Sequence, residues 1–229
     1  MKNSLKSVEG FYNDINDQYT DYILRCVPRY AEMQWAIMHY ISNNLKPKNI
    51  LEIGCGTGNL TKLILKNFPD ANIHIVDISK KMIDNCKNQF QNYNNIKYHC
   101  NDFRNLDDSI QNCDLVLSSI SIHHINDKDK KSLFNDIFMR TTNDAILCYS
   151  DQFSSYDNEI YNKNISLWEN ESKLKGASED EWRMWMQHQE DHDYHATLEN
   201  QIKWLKTSGF TNVECVWRHL LWSVIIAAK

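Results

Sequence analysis

The sequence predicts an α/β fold built on an open, mostly parallel sheet with helices on both faces. Three observations carry this. Short apolar runs alternate with helix-spaced patterns through the middle of the chain. The stretch ILEIGCGTGNLTKLI, Ile50–Ile64, sets three of the chain's six glycines between a strand-like run and a helix-like run. Near the end, Val213–Trp217 and Leu220–Ala228 read as strands joined too tightly for anything but a hairpin.

Taken in order, residues 1–45 read as amphipathic helices without a strand. Asn49–Ile53 is the first strand. Leu60, Leu63, Ile64 and Phe68 have helical spacing, and Pro69-Asp70 breaks that helix. Asn72–Asp77 is a second strand, and Ser79 caps a helix running to Phe90. Ile96–Asn101 and Asp114–Ser118 are the third and fourth strands. A helix spans about Lys128 to Met139, and Ala145–Ser150 is the fifth strand. Residues 151–195 are polar, aromatic-rich and helical. A helix over Leu198–Ser208 stops at Gly209, and the hairpin adds an antiparallel strand at one edge. The expected organisation is an N-terminal helical lid (1–45), a core (46–150), a second lid segment (151–195) and a C-terminal helix and hairpin completing the sheet (196–229).

The chain has 229 residues, 42% hydrophobic and 24% charged, enough for one sizeable core. No apolar run approaches the ~18 residues that would cross a bilayer, and the N-terminus lacks an apolar signal core, so a cytoplasmic protein without a membrane partner is expected. The net charge of −5 with scattered basic residues argues against a nucleic-acid partner. Seven cysteines without a CxxC pair point to free thiols in a reducing compartment. The oligomeric state is open, a homodimer included.

Gly54, Gly56 and Gly58 permit positive φ and let a ligand approach the main chain, while the following helix offers free N–H groups. Asp77, 19 residues after Gly58, is placed to accept hydrogen bonds from both hydroxyls of an adenosine ribose. A dinucleotide or S-adenosylmethionine suits such a device. The spacing is GxGxG, not GxGxxG, with Asn59 where a third dinucleotide glycine would stand. Glu52 in the preceding strand would repel a pyrophosphate but favour the ammonium of a methionine tail.

LEIGCGTGNLT, HIVDISKKMID, HCNDFRNL and DLVLSSISIHHI occur in order and correctly spaced. Over Lys48–Ser150, with the C-terminal strand pair, the chain resembles the class I S-adenosylmethionine-dependent methyltransferases. That resemblance implies a Rossmann-like, doubly wound seven-stranded sheet with the last strand antiparallel, S-adenosylmethionine as cofactor and S-adenosylhomocysteine as product. RCVPRYAEM and the tail TLENQIKWLKTSGFTNVECVWRHLLWSVIIAAK are similar to carboxy-S-adenosylmethionine synthases and related small-molecule methyltransferases. In those synthases an arginine holds the cofactor's extra carboxylate. Aligned from Ser178-Glu179, that arginine falls on Met186, with Arg183 one helical turn away, which favours an ordinary methyl donor.

In this light Cys55 belongs to the cofactor turn, Ile78 covers an adenine face and Met82 lines the same pocket. Asp102 accepts from the adenine amine, with Asn101 and Phe103 beside it. Ser118 and Ser119 flank the methionine moiety. Arg25 and Tyr30 match positions that reach the methionine carboxylate and amine. His123 and His124 follow the fourth strand at the donor site and are the candidate catalytic residues. Tyr149, Trp182, Arg183 and Trp185 are the candidate substrate pocket. His188, His192 and His195 have a spacing that one helix face could share, but with no assured carboxylate or cysteine ligand nearby they read as solvated lid residues, and no metal is expected.

The leading functional expectation is in-line methyl transfer to an oxygen, nitrogen or sulfur of a small organic acceptor. The alternatives are a carboxy-S-adenosylmethionine synthase-like enzyme of tRNA modification and a non-catalytic S-adenosylmethionine-binding protein. The two lid segments are expected to close together over the cofactor and supply an apolar acceptor pocket.

Overall fold

The computed structural model describes residues 7–15, 18–41 and 44–229. The parts of the predicted N-terminal lid at residues 1–6, 16, 17, 42 and 43 lie outside the described residues. Three helices lead: α1 (Val8–Ile15), α2 (Tyr19–Cys26) and α3 (Tyr30–His39). Then come β1 (Asn49–Ile53), α4 (Asn59–Asn67), β2 (Asn72–Asp77), α5 (Lys80–Gln89), β3 (Ile96–Cys100), β4 (Cys113–Ser119), α6 (Asp127–Arg140) and β5 (Thr141–Gln152). The chain continues with α7 (Asn158–Leu174), α8 (Glu179–His192), α9 (Leu198–Ser208), β6 (Thr211–His219) and β7 (Trp222–Ala228).

The strands form one seven-stranded sheet in the order β3-β2-β1-β4-β5-β7-β6. β1 to β5 pair in parallel, and β7 runs antiparallel to both β5 and β6. The antiparallel strand therefore lies inside the sheet with β6 outermost, where the sequence suggested an edge strand. The hairpin reaches back so that Val224, Ile225 and Ala227, all buried, fill the space beside β5. β5 is also longer than expected, because Asp151 and Gln152 remain paired with β7.

Alternation along the strands supplies the two faces. Ile50, Leu115 and Leu117 pack with Met33, Ala36 and Ile37 of α3, Ile64 of α4 and Ile83 of α5. Leu51, Ile53, Val116, Leu147 and Tyr149 pack under Phe134 and Ile137 of α6 and Leu205 of α9. Strand order reverses between β1 and β4, so the loops after these two strands diverge and leave a crevice at their C-terminal ends. α1, α2, α7 and α8 gather over that edge. The indole of Trp168 and the hydroxyl of Ser172 both donate to the carbonyl of Cys26, and Lys175 Nζ donates to that of Val27 at 3.0 Å, tying α7 to the end of α2. Among the described residues no helix is long and apolar enough to cross a membrane.

Candidate active site

The crevice at the switch point encloses about 890 Å³, its open mouth included, within the size range of small-molecule sites. Its floor is the turn after β1. Gly54, Gly56 and Gly58 all have positive φ, at 71°, 50° and 81°. They do different work. A Cβ on Gly54 would collide with the side chain of Ser121, and one on Gly58 would come within 2.7 Å of the Phe90 ring. Only at Gly56 is there room, with Tyr19 the nearest neighbour at 3.6 Å. Protein packing thus excludes side chains at Gly54 and Gly58; Gly54 and Gly56 both line the crevice, and of the two only Gly56 has open space where a side chain would stand. Gly58 is the N-cap of α4 and is not part of the lining.

Asp77 ends β2 facing this turn. Its Oδ2 accepts from Gly56 N–H and its Oδ1 from Ser79 N–H, each at 2.8 Å. Burial raises its pKa, against the opposing effect of those two bonds. Cys55, Ile78, Met82, Asp102, Phe103, Tyr30, Ser119 and His124 also line the crevice. Ser119 Oγ accepts from Gln34 Nε2 at 2.6 Å. Burial pushes the Asp102 carboxyl up, but Arg104 beside it outweighs this and holds it below its ordinary range.

Other candidates are placed elsewhere. Glu52 is fully buried under α4, where Thr61 Oγ1 donates to its Oε2 at 2.7 Å, and burial raises its pKa from 4.5 to about 8. It is a protonated core residue away from the crevice lining, not an anion presented to a ligand. Ser118 Oγ donates to the Ile53 carbonyl at 2.8 Å, inside the sheet. Asn101 folds its amide onto the Asn105 carbonyl at 2.6 Å. The Arg25 guanidinium is held by Glu181 of α8, which diverts it from a methionine carboxylate. Tyr149 lies on the far face of the sheet, fully buried with its hydroxyl donating to Gln201 Oε1 at 2.8 Å. Trp182 stacks edge-on against Trp168 in the core, and Arg183 pairs with Asp180 in solvent. Of the four candidate pocket residues, Trp185 lines a cavity beside the crevice, and Tyr149, Trp182 and Arg183 line neither that cavity nor the crevice. Met186 packs against the hydrophobic core.

That cavity is a second, smaller one of about 430 Å³, walled by Trp168, Trp185, Trp222 and Val27. It shares Tyr12, Tyr19, Ile23 and Ile120 with the crevice. Ile120, just after β4, has φ 55°. A β-branched residue in the left-handed region is a genuine outlier, and it sits at the junction of the two cavities.

A cluster of imidazoles and carboxylates stands at the same junction. His123 Nδ1 pairs with Asp151 Oδ1 at 2.5 Å, and His124 Nε2 meets the Tyr12 hydroxyl at 2.8 Å. Asp193, just past α8, is surrounded: His124 Nδ1 at 2.9 Å, His123 Nε2 at 3.7 Å and His188 Nε2 at 3.8 Å from Oδ1, with His195 Nε2 at 3.5 Å from Oδ2. One ligand atom each from His123, His124 and Asp193 fall within 4.8 Å of one another. The segment is pinned there, because Tyr194 N–H donates to the His123 carbonyl at 2.8 Å and its own carbonyl accepts from buried Lys130. Burial lowers the His188 pKa to about 3 and that of His195 to about 4. Burial works against charge on His123 too, but Asp151 and Asp193 outweigh it and raise its pKa. His188 is buried and His195 half-buried, not solvated as expected, and α8 ends at His192, so the three histidines do not share one helix. Tyr12, Tyr19, Asp151 and Asp193 were not singled out in the sequence. The one available signal was Asp193 interleaved between His192 and His195.

Residues 50–144 match the model of the methyltransferase domain family. That segment, under half of the chain, is similar to a methyltransferase domain. Across nearly its whole length the chain is also 24% identical, over 225 residues, to the carboxy-S-adenosyl-L-methionine synthase of Haemophilus ducreyi, covering 96% of this chain and 91% of that protein. It is 35% identical over 102 residues to a malonyl-[acyl-carrier protein] O-methyltransferase of Acetivibrio thermocellus; that match takes in 44% of this chain and 35% of the relative, about a third of the latter's length. Among solved structures, the N-methyltransferase NodS of Bradyrhizobium japonicum in complex with S-adenosyl-L-homocysteine matches with a TM-score of 0.63 at 13% identity, over 92% of this chain and 97% of that one. The chain thus has the Rossmann-like fold of these methyltransferase structures, with the helices α1, α2, α7 and α8 added over the crevice.

Proposed function

We propose that the chain is an S-adenosylmethionine-dependent methyltransferase acting on a small organic acceptor. The observation that carries this is the convergence of Gly56, Asp77, Asp102, Phe103 and His124 on one crevice that opens into an apolar side cavity. The bare backbone at Gly56 and the carboxylate of Asp77 suit the ribose and its neighbours, and Ile78, Met82 and Phe103 suit the adenine. Bound there, S-adenosylmethionine supplies an electrophilic methyl group on a sulfonium. The chain's own residues align, desolvate and exclude water, which is most of what such a displacement requires. His124 is the one imidazole lining the crevice among the described residues, and the Trp-walled cavity behind it suits the apolar body of an acceptor. Calorimetry should show S-adenosylhomocysteine binding, weakened by about 1–3 kcal/mol in Asp77→Ala. Binding of NAD without any response to S-adenosylhomocysteine would overturn the reading.

A second reading, carboxyl-group modification of the cofactor, is favoured by the end-to-end likeness to the synthase. Against it stand Met186 in the place of the carboxylate-binding arginine and the fact that Arg104 is the one arginine lining the crevice among the described residues, engaged by Asp102. Incubation with S-adenosylmethionine and prephenate should give no carboxylated cofactor by mass spectrometry; such a product would replace the first reading with the second.

A further inference from the structure

We propose that His123, His124, His188 and Asp193 form a binding site for a divalent transition ion of the zinc and iron(II) class, placed where the crevice meets the Trp-walled cavity. Imidazole nitrogens and a carboxylate are the donor set such ions take, at about 2.0–2.2 Å from the metal. Ligand atoms around a tetrahedral ion then lie ~3.3 Å apart, by the geometry of those bond lengths. The three imidazole nitrogens stand 2.9, 3.7 and 3.8 Å from Asp193 Oδ1, which brackets that spacing; His123, His124 and Asp193 offer ligand atoms within 4.8 Å of one another, and His188, outside that trio, approaches it through Asp193.

Hydrogen bonding alone does not account for the cluster. His124 Nδ1 and Asp193 Oδ1 are 2.9 Å apart, and three further imidazole nitrogens stand within 3.8 Å of the same carboxylate, more than one hydrogen-bonded pair requires. His188 is 4% exposed, and neither of its ring nitrogens has a hydrogen-bond partner. His195 Nε2 is unpartnered as well. A structural role would have satisfied these groups, since buried polar atoms are nearly always paired. The surroundings also resemble those of metal ligands. Asp151 holds the far nitrogen of His123 at 2.5 Å, and Tyr12 holds that of His124 at 2.8 Å, which fixes both rings. His195, at 3.5 Å from the other oxygen of Asp193, either orients that carboxylate or completes the shell.

The place of the ion gives the acceptor a chemistry, a step that rests on the methyl-transfer reading. An ion here faces the donor crevice through His124 and the apolar cavity through His188 and His123. It suits an acceptor with an ionisable oxygen or sulfur on an apolar body. Coordination releases the acceptor's proton to solvent; its lone pair then forms the bond to the methyl while the donor sulfur keeps the electron pair of the bond that breaks.

The test titrates the chelator-stripped full chain with Co²⁺ and Zn²⁺. One equivalent of Co²⁺ should give the strong visible bands of a four- or five-coordinate ion, displaced by Zn²⁺. Asp193→Asn and His188→Gln should each weaken binding tenfold or more, Asp151→Asn by about 10–100-fold through the orientation of His123, and His39→Ala, far away on α3, not at all. Circular dichroism melts identify any variant that fails to fold, and two ligand positions on separate segments keep the test decisive. Absence of a one-equivalent site, or one unchanged in both Asp193→Asn and His188→Gln, overturns the proposal. S-adenosylhomocysteine binding is measured separately: metal binding without it upholds this site while sinking the donor reading, and the converse does the reverse.

Discussion

The donor crevice and the histidine cluster share a wall at the same edge of the sheet, yet they are built in opposite ways. The crevice floor is a backbone object. Its shape comes from consecutive residues, Gly54 to Gly58, and from one carboxylate at the end of the neighbouring strand. The cluster is a side-chain object assembled from α1, the turn after β4, the end of β5, and α8 with the residues following it. The first is fixed by hydrogen bonds from Gly54, Cys55 and Gly56 to the end of the neighbouring strand and by glycines fitted against their neighbours. The second is held by burial and leaves several polar atoms without partners. A site that needs a defined turn can be written in five residues, whereas a site that needs three imidazoles and a carboxylate at one point requires the whole fold.

The strongest way to break this comparison is at the glycines. Gly54→Ala puts a methyl into the Ser121 side chain at φ 71°. Overpacking costs about 1–3 kcal/mol and the left-handed backbone about 1–2 more, so a loss of roughly 3 kcal/mol in urea unfolding is expected. Gly56→Ala meets nothing closer than 3.6 Å. It should cost only about 1–2 kcal/mol of stability from its backbone, yet it should weaken S-adenosylhomocysteine binding more than Gly54→Ala does in whatever fraction folds. Equal effects of the two on binding would mean that the turn is a structural corner and no ligand cradle.

Glu52 sharpens the same contrast from inside the core. Burial raises its pKa to about 8, so the folded state keeps a proton that the unfolded chain loses near 4.5. Stability from this group is full below pH 4.5 and falls as pH rises to about 8, levelling off above. Glu52→Gln should remove that fall. At pH 9 it should be the more stable protein by on the order of 2 kcal/mol, less than the ~1.4 kcal/mol per pKa unit implies, because its amide N–H also requires a partner. Because Glu52 does not line the crevice, S-adenosylhomocysteine affinity should not change; a tenfold loss would restore it as a cofactor residue.

What could be read in the sequence follows the division between the two regions. β2 is Asn72–Asp77 as expected, and Ser79 caps α5 by accepting from Met82 N–H at 3.2 Å, because both features depend on adjacent residues. The open parallel sheet followed from alternation, and its seven-stranded Rossmann-like form from the family resemblance. The inner place of β7 did not, since a hairpin's periodicity does not say which of its strands faces the sheet. Arg25 was a reasonable anion ligand until Glu181, 156 positions later, was folded against it. Tyr149 alternates to the wrong face, a consequence of β5 register that composition cannot reveal. Asp193 was invisible as a ligand because its partners at 123 and 124 are distant in sequence, and helix spacing pointed instead to His192, the one histidine of that stretch outside the cluster.

The last expected effect lies at the sheet edge opposite β6, remote from both sites, and it tests whether the pH response of the fold can be separated from them. His74 of β2 and His99 of β3 lie two residues apart in register, with His74 Nδ1 3.0 Å from His99 Nε2. Burial, with His99 and Lys97 adding to it, lowers the His74 pKa from 6.5 to about 4, Asp107 opposing. The folded state therefore stays neutral where the unfolded chain takes a proton. Stability from this group is full above pH 6.5 and declines as pH falls toward 4, with a steepest slope of about 1.4 kcal/mol per pH unit for one proton. His74→Phe removes the titrating group and keeps a ring of similar shape. Urea midpoints of wild type and variant, measured from pH 7 to pH 4, should diverge in the variant's favour on acidification, with the whole divergence between pH 6.5 and 4. Parallel curves would show that the His74–His99 pair does not titrate apart from the rest, and that the acid response of the fold belongs to the histidine cluster.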